Sequence, residues 1–189
     1  MPDPRDRILD AAAELFYREG VSAVGVDTIV RHAGVAKATL YNHFRSKNEL
    51  VAAWLERRDL QWFEMLYSRL ELAVAADPQA GRIVCVFDAL HDWFSMEDFR
   101  GCAFINTAAE LPDPAHPAQQ IIAKHKQQLR SDLERWANEH PVDDPTALAE
   151  EVFLVIEGSI VAAVMRRSAE PARVGRLATL HLLHAHQHG

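Results

Sequence analysis

A glycine turn between two short helical segments constrains the fold of this chain more than any other feature. Residues 27–33 and 37–44 each place apolar side chains at helical spacing. Gly34 lies between them and can adopt the left-handed conformation that turns a chain sharply. Leu40 and Phe44 lie four positions apart, so they can anchor the second segment to a core. We therefore predict two short helices that meet at a steep angle.

The helical period continues along the rest of the chain, and no segment alternates strictly enough to indicate a strand. We predict an all-α protein of about nine helices. The first would span residues 5–19, end at Gly20, and bury Ile8, Leu9, Ala12, Leu15 and Phe16. The second would begin with Asp27 or Thr28 as its N-cap. Six more are expected after the turn pair, at residues 48–75, 79–93, 101–111, 118–139, 145–167 and 172–186.

Positive charge is concentrated around the glycine turn, although the chain carries a formal net charge of -7. Residues 28–48 contain Arg31, Lys37, Arg45 and Lys47 and no acidic residue. Residues 1–48 hold 7 Lys/Arg against 6 Asp/Glu, so they carry +1 and the remainder carries -8. A contact with a polyanion is therefore expected from the N-terminal quarter only.

Helix, glycine-containing turn, helix is the arrangement in which the second helix of a pair enters the major groove of DNA. Asn42 can pair bidentately with adenine, and the Thr39 methyl group can contact thymine. Spacing alone also fits a helical hairpin whose basic surface has no such role. The side chains that suit phosphate contacts are Lys37, Tyr41, His43 and Lys47.

Residues 34–50, Gly-Val-Ala-Lys-Ala-Thr-Leu-Tyr-Asn-His-Phe-Arg-Ser-Lys-Asn-Glu-Leu, closely resemble the signature of the TetR family of transcriptional regulators. That signature typically runs Gly-Val-Ser-Lys-Gly-Thr-Leu-Tyr-x-His-Phe-x-Ser-Lys-Glu-x-Leu. Residues 8–16, Ile-Leu-Asp-Ala-Ala-Ala-Glu-Leu-Phe, and Gly20 also resemble the opening of the family. The resemblance covers about a quarter of the chain.

The resemblance implies an all-helical homodimer that represses a promoter and is released by a small-molecule inducer. It places a helix-turn-helix DNA-binding domain at residues 1–48 and a ligand-binding and dimerisation domain at residues 49–189. The partners expected are a palindromic double-stranded DNA operator, an inducer and a second copy of the chain. The same resemblance assigns DNA backbone contacts to Lys37, Tyr41, His43 and Lys47, and the recognition helix to Thr39 and Asn42.

Two positions depart from the family pattern. Ala36 replaces the usual serine before the lysine, so a side-chain cap on the recognition helix is lost, at a cost of about 1 kcal/mol. Gly25 replaces a threonine that commonly precedes the second helix. Whether Thr28 takes over the phosphate contact of that threonine stays open.

In the family the last two long helices form a four-helix dimer interface, and residues 145–167 are accordingly apolar on most sides. The same helix could instead be central core. An apolar or aromatic ligand is expected among helices four to eight, where any aromatic residue can equally belong to the core. The candidate lining residues are Trp62, Met65, His91, Trp93, Phe94, Phe99, Cys102, Phe104, Asn106 and His125.

Cys102 follows a glycine at a predicted helix start, where the helix dipole can lower a thiol pKa. A regulator that senses oxidants or electrophiles through this thiol is therefore one alternative. His181 and His184 lie one turn apart, with His186 and His188 beyond them. No cysteine or carboxylate accompanies these histidines, and we predict no metal or cofactor.

No nucleophile elbow, phosphate loop, His-Glu-x-x-His or dinucleotide fingerprint occurs, so we predict that the chain is not an enzyme. A helical ligand-binding protein that never contacts DNA is a further alternative. The apolar run at residues 159–165 is far shorter than the roughly 20 residues that cross a bilayer. Because the charged start also lacks a signal-peptide pattern, a cytoplasmic location without membrane association is expected.

Overall fold

The computed structural model describes residues 3–188, except the side chain of His188. Met1 and Pro2 of the charged start, the His188 side chain and Gly189 thus lie outside the described residues. The described chain is helical and contains no strand, which confirms the all-α prediction. No helix within it is both long and apolar enough to cross a membrane. The helices are α1 (Pro4–Glu19), α2 (Val26–Ala33), α3 (Lys37–His43), α4 (Lys47–Ala76), α5 (Arg82–Phe94), α6 (Ala103–Glu110), α7 (Ala118–Ala137), α8 (Pro145–Arg166) and α9 (Glu170–His188).

The described chain divides into two compact units. The first comprises residues 3–61 and 102–125, and the second comprises residues 62–101 and 126–188. α4 and α7 each contribute residues to both units. The domain boundary after residue 48 remains a prediction.

The core of the first unit begins with the apolar faces of α1, α2 and α3. Ile8, Ile29 and Leu40 are fully buried, one from each helix. All five residues predicted for the buried face of α1 are buried. Each of those side chains that is larger than alanine contributes about 1.5–3 kcal/mol to stability through removal of apolar surface from water. Trp54 on α4 extends this core, because its ring lies 5.4 Å from that of Phe16.

Several predicted helix starts differ from the observed ones, and at α5 and α6 a glycine with positive φ is the reason. α5 begins at Arg82 rather than residue 79, since Gly81 has φ +73°, which no right-handed helix contains. α6 begins at Ala103 because Gly101 has φ +87°. α2 begins at Val26, so Gly25 is its N-cap and makes no side-chain cap. The prediction that Asp27 or Thr28 caps α2 is therefore wrong, because both lie inside the first turn.

In the second unit, α9 packs along both α5 and α8. Gly175 makes this close packing possible. A Cβ atom there would lie 2.4 Å from a ring carbon of Phe87 and 2.7 Å from the Ser159 hydroxyl. The two distances are shorter than van der Waals contact, so a larger residue would push α9 away from its neighbours.

Arg167 ends α8 in a left-handed conformation, with φ 50° and ψ 47°. Its backbone N–H donates to the carbonyl oxygens of Ala163 and Val164, which closes the last turn. No other non-glycine residue among residues 3–188 has a positive φ. Helices usually end in this conformation with glycine, because a side chain there costs about 1 kcal/mol.

Candidate functional site

The turn between α2 and α3 has the geometry that the sequence predicts. Gly34 adopts φ 63° and ψ 41°, in the left-handed region. The Val35 N–H donates to the Val30 carbonyl at 3.0 Å, which satisfies one carbonyl at the end of α2. α3 then starts without a side-chain cap at Ala36, as expected from its sequence. Within the turn itself, backbone geometry and not a side-chain cap thus links the two helices.

Arg7 on α1 fixes this turn from outside. Its guanidinium Nη2 donates to the carbonyl oxygen of Ala33 at 2.6 Å and to that of Gly34 at 2.8 Å. These carbonyls are the ones that a helix end leaves without an internal partner. Sequence reasoning missed Arg7 because 26 positions separate it from Ala33 and no local motif connects them.

α3 presents its polar side chains away from the core. Leu40 is fully buried and Phe44, just past the helix, is 2% exposed, so both serve as the predicted anchors. Thr39 is half-buried, as is Thr28 in the first turn of α2. The candidates on the exposed side of the segment are Lys37, Tyr41, Asn42 and His43.

Lys37 already has an acidic partner. Its Nζ lies 2.9 Å from Oδ1 of Asp27, and both side chains are exposed. The hydrogen bond and the charge of Asp27 raise the pKa of Lys37, so this lysine stays protonated. Because an exposed ion pair contributes little to stability, a phosphate can displace the carboxylate at small cost.

Lys47 adopts a different position from the one expected for a phosphate ligand. As the first residue of α4, it donates from Nζ to the Val21 carbonyl at 2.5 Å. Its ammonium group lies 6.0 Å from the ring centroid of Phe16. Partial burial lowers the pKa of Lys47, and the charge of Glu110 opposes that shift. Lys47 thus holds the loop after α1, and its DNA contact remains a prediction.

The start of α4 carries a capping arrangement visible in the sequence. Ser46 Oγ accepts from the Glu49 N–H at 3.1 Å, and the Glu49 carboxylate accepts from the Arg45 N–H at 2.9 Å. A serine followed three positions later by glutamate is a known start signal for helices. The pattern could have located the start of α4 at Lys47 rather than Asn48.

Glu110, at the end of α6, contacts the loop between α1 and α2. Its Oε2 accepts from the Ser22 N–H at 2.6 Å. Gly20 lies against the same carboxylate, because a Cβ there would be 2.8 Å from Oε1. The two residues of the hydrogen bond are 88 positions apart, so no sequence pattern connects them.

Four predicted ligand residues lie in the first unit, where His125 and Phe104 are the most enclosed. His125 is 1% exposed, and its Nδ1 lies 2.7 Å from Oδ1 of Asp59. The ring of Phe104 stacks on the imidazole with centroids 3.6 Å apart. Burial raises the pKa of Asp59, and the charge of Lys124 partly offsets this. The other two differ, since Cys102 is the buried N-cap of α6 and Asn106 is exposed.

The other six predicted ligand residues lie in the second unit. Met65 and His91 are half-buried. Trp62 lies 5.7 Å from Trp93, which in turn lies 5.6 Å from Phe94. The candidates are therefore divided between the two units, and their common role in ligand binding remains a prediction.

The tail histidines lie on α9. His181 and His184 are exposed, and His186 Nε2 lies 3.1 Å from Oε2 of Glu151. Among residues 3–188, no three histidine, cysteine, aspartate or glutamate side chains are grouped so that they could hold a metal ion. Cys85 and Cys102 are both buried and unbridged.

Comparison with known proteins identifies the N-terminal segment. The family model described as bacterial regulatory proteins, tetR family, matches residues 8–54. The match covers α1 from Ile8 onward, the α2–α3 pair and the start of α4. It therefore includes the turn held by Arg7 and every side chain predicted here to contact DNA.

Relatives extend the similarity over nearly the whole chain. The transcriptional regulator AcuR of Cereibacter sphaeroides is 30% identical over 172 residues, which are 87% of this chain and 78% of AcuR. The HTH-type transcriptional repressor ComR of Escherichia coli is 27% identical over 170 residues, 84% of this chain and 79% of ComR. A crystal structure of a TetR-family transcriptional regulator from Streptomyces coelicolor is 28% identical with a TM-score of 0.84, and the alignment covers 97% of this chain and 96% of that one.

Proposed function

Because the chain belongs to the TetR family of bacterial transcriptional regulators, we propose that it represses transcription from a palindromic operator and is released by a small molecule. The repressor role takes support from ComR, which is named a repressor and is 27% identical to this chain. Chromosomal DNA as the target implies that the protein acts in the cytoplasm. The family consists of regulators, and we propose no catalytic activity for this chain.

The observation that carries this proposal is the exposed polar side of α3. Its side chains are presented by a segment that Leu40 and Phe44 anchor and whose entry turn Arg7 fixes. A recognition helix needs this rigidity, because base contacts discriminate only when their donors and acceptors are held in place. The DNA-binding domain proposed is residues 1–48.

We assign different roles to the candidate side chains. Thr39 and Asn42 contact base edges in the major groove. The others bind the sugar-phosphate backbone, which positions the helix without reading sequence. Among them Lys47 contributes least, because its ammonium group already bonds the Val21 carbonyl. The backbone contacts proposed are those of Thr28, Lys37, Tyr41, His43 and Lys47.

A homodimer is proposed because α8 and α9 leave large apolar side chains exposed. On α8, Leu154 is 61% exposed and Met165 is 80% exposed, and on α9 Leu177 is 58% exposed. Apolar residues clustered on two adjacent helices are typical of an interface between subunits. Two copies present two recognition helices, and their separation then sets the half-site spacing of the operator.

The ligand proposed is small and apolar or aromatic, bound by residues 49–189. The aromatic side chains around Trp93 support this class, since such groups line most small-molecule sites. The thiol-sensing alternative has less support, because Cys102 is 4% exposed and oxidants act on accessible thiolates. The lining residues proposed are Trp62, Met65, His91, Phe94, Cys102, Asn106 and His125.

Selection of genomic DNA by the purified full chain, followed by electrophoretic shift assays, tests the proposal. We expect a few palindromic fragments to be enriched and to bind less tightly as salt rises. The variant Asn42→Ala should lose preference for these fragments over unrelated DNA, whereas Leu72→Ala, on exposed α4 surface, should keep it. If no fragment is enriched even at low salt, the chain does not act through DNA.

A further inference from the structure

A groove of about 650 Å³ lies in the second unit, beside the end of α5 and the end of α8. Its volume falls in the range of about 300–1,000 Å³ that small-molecule sites occupy. The segment between α5 and α6 forms one side of it, and the end of α8 forms the other. Its lining residues are Phe94, Met96, Glu97, Phe99, Arg100, Ala163, Val164, Arg167 and Ser168.

One wall of the groove is aromatic. The rings of Phe94 and Phe99 lie 5.0 Å apart, and Trp93 lies behind them, 5.1 Å from Phe99. Val164 contributes apolar surface from α8 and is 42% exposed. A ring system fits such a wall because its faces can stack on aromatic side chains while water is displaced from both.

The groove is also positively charged in an acidic unit. Residues 62–101 and 126–189 hold 10 Lys/Arg against 16 Asp/Glu, a net charge of -6. The groove has the opposite balance, since its lining contains two arginines, Arg100 and Arg167, and one acid, Glu97. Two arginines therefore point to an anionic ligand, and Glu97 disfavours a doubly charged one such as a phosphate ester.

Arg167 is the arginine available to a ligand. Its guanidinium forms no hydrogen bond or ion pair with any residue in the described part of the chain. Elsewhere in the unit, Arg176 is bound to Asp77 at 2.7 Å and to Asp88 at 3.1 Å, and Arg82 is bound to Glu139 at 3.2 Å. A guanidinium binds a planar carboxylate with two parallel hydrogen bonds, which gives both affinity and orientation.

The backbone of Arg167 supplies a second, independent observation. Its left-handed conformation is one that glycine adopts without strain and that arginine adopts only at a cost. Strained non-glycine residues occur preferentially at functional sites, where the side chain has a use that offsets the strain. Because glycine favours the same conformation, the Arg167 side chain can be removed by substitution with glycine while the end of α8 keeps its geometry.

We propose that this groove binds a small carboxylate with an aromatic or alicyclic body. The rings lie against Phe94 and Phe99, and the carboxylate pairs with the guanidinium of Arg167. The inference rests on the proposed function and deepens it, because it adds a negative charge to the ligand class. Val164 also belongs to the exposed apolar face of α8, so a second copy of the chain is the competing occupant.

Calorimetric titration of the full chain with 2-naphthoate and with its neutral amide, 2-naphthamide, tests this inference. The two probes share their rings and differ in charge. We expect 2-naphthoate to bind at least about tenfold more tightly, because charge-assisted hydrogen bonds are roughly twice as strong as neutral ones. Arg167→Gly should bring the affinity for 2-naphthoate down to that for the amide and leave the amide unchanged.

The variant Arg167→Gly suits the test because glycine relieves the left-handed strain, so its unfolding midpoint should equal or exceed that of the parent chain. Arg166→Gln is the matched control, since it removes the same charge from the neighbouring residue, which does not line the groove. It should leave both affinities unchanged.

Four results would overturn the inference. Two concern the probes, namely equal binding of both or no binding at millimolar concentration. The third is retention of 2-naphthoate affinity in Arg167→Gly. The fourth is competition between 2-naphthoate and self-association, which would identify a second copy as the occupant. Because the titration contains no DNA, its failure leaves the selection of operator fragments unaffected. Failure of that selection, in turn, leaves the titration result standing.

Discussion

The carboxylate of Glu110, at the end of α6, accepts a 2.6 Å hydrogen bond from the backbone N–H of Ser22, in the loop between α1 and α2. The loop leads directly into the helix pair proposed to bind DNA. Gly20 lies in the same loop with φ +91°, beneath the same carboxylate. The conformation of the DNA-binding segment thus depends in part on a residue from the middle of the chain.

Replacement of Gly20 by alanine should lower the free energy of unfolding by about 1–3 kcal/mol. The new Cβ would lie 2.8 Å from Glu110 Oε1 in a backbone conformation that alanine disfavours. Urea denaturation measures the change, with Gly25→Ala as control because its Cβ would meet nothing within 4 Å. The double variant Gly20→Ala, Glu110→Ala should regain only the part of the lost stability that comes from the clash between the new Cβ and Glu110. Equal losses for the two glycine variants would contradict this account.

Arg7→Ala should destabilise the chain by about 1–3 kcal/mol, because two carbonyl acceptors at the α2 end lose a charged donor. Operator affinity should fall as well, since the turn angle is no longer fixed. Arg18→Ala serves as control, because Arg18 forms only exposed ion pairs on the same helix and its removal should cost little stability. Operator affinity in Arg7→Ala equal to that of the control would show that Arg7 does not hold the turn.

Lys37→Gln should weaken binding to operator and to unrelated DNA by similar factors. The slope of log affinity against log salt should decrease in magnitude by about 1, because one phosphate contact is lost. Titrations at several salt concentrations measure both quantities. Arg18→Gln makes the same charge change away from α3 and should leave the slope unchanged. A loss confined to the operator would instead assign Lys37 to base recognition.

Tyr67→Phe should remove a pH dependence of stability at the alkaline end. The Tyr67 hydroxyl donates to Asp132, a fully buried carboxylate. Burial, together with this hydrogen bond, raises the pKa of Tyr67 to about 12. Since the pKa in the folded state exceeds the ordinary value of about 10, the contribution is complete below pH 10 and is lost as pH rises towards 12.

Urea denaturation of the parent chain and of Tyr67→Phe at about pH 9 and about pH 11 measures this dependence. At about pH 9 the parent chain should be more stable than Tyr67→Phe, by about 1–3 kcal/mol. The difference should shrink at the higher pH. If the difference in stability is the same at both pH values, the pKa of Tyr67 is not raised in the folded state.

Leu177→Glu should convert the proposed dimer into a monomer, because it puts a charge on the exposed apolar face of α9. Sedimentation velocity measures the state of association, and operator affinity should fall with it. Leu72→Glu makes the same substitution on α4, where the leucine is 71% exposed, and should leave association unchanged. Dissociation by both variants, or by neither, would place the interface elsewhere.

Most helices could be predicted from the sequence because their signals are local. The buried face of α1 and the left-handed turn at Gly34 both follow from spacing and residue type. The starts of α5 and α6 could not be placed, because the positive φ of Gly81 and Gly101 is set by the surrounding structure. The predicted N-cap of α2 was wrong because the helix already begins at Val26, which places Asp27 and Thr28 inside its first turn.

Contacts between distant segments could not be predicted at all. Arg7 with Ala33, Glu110 with Ser22 and His125 with Asp59 join residues that are 26, 88 and 66 positions apart. Nothing in the local pattern marks these residues, because their roles arise from geometry that only the folded chain creates. The family signature supplied the DNA-contact candidates, but it could not show that Lys47 is bound to a carbonyl.

In the complex proposed above, Asp27 competes with DNA for Lys37, because the two residues form an ion pair in the free protein. A phosphate that binds Lys37 must first displace the Asp27 carboxylate into water. Lys37 therefore attracts a phosphate less strongly than an isolated ammonium group would. Scattered or flexible polyanions then gain little from this position. A duplex whose shape fits α3 makes its other contacts at the same time, and these offset the cost of displacing Asp27. The ion pair therefore increases the preference for such a duplex over other polyanions.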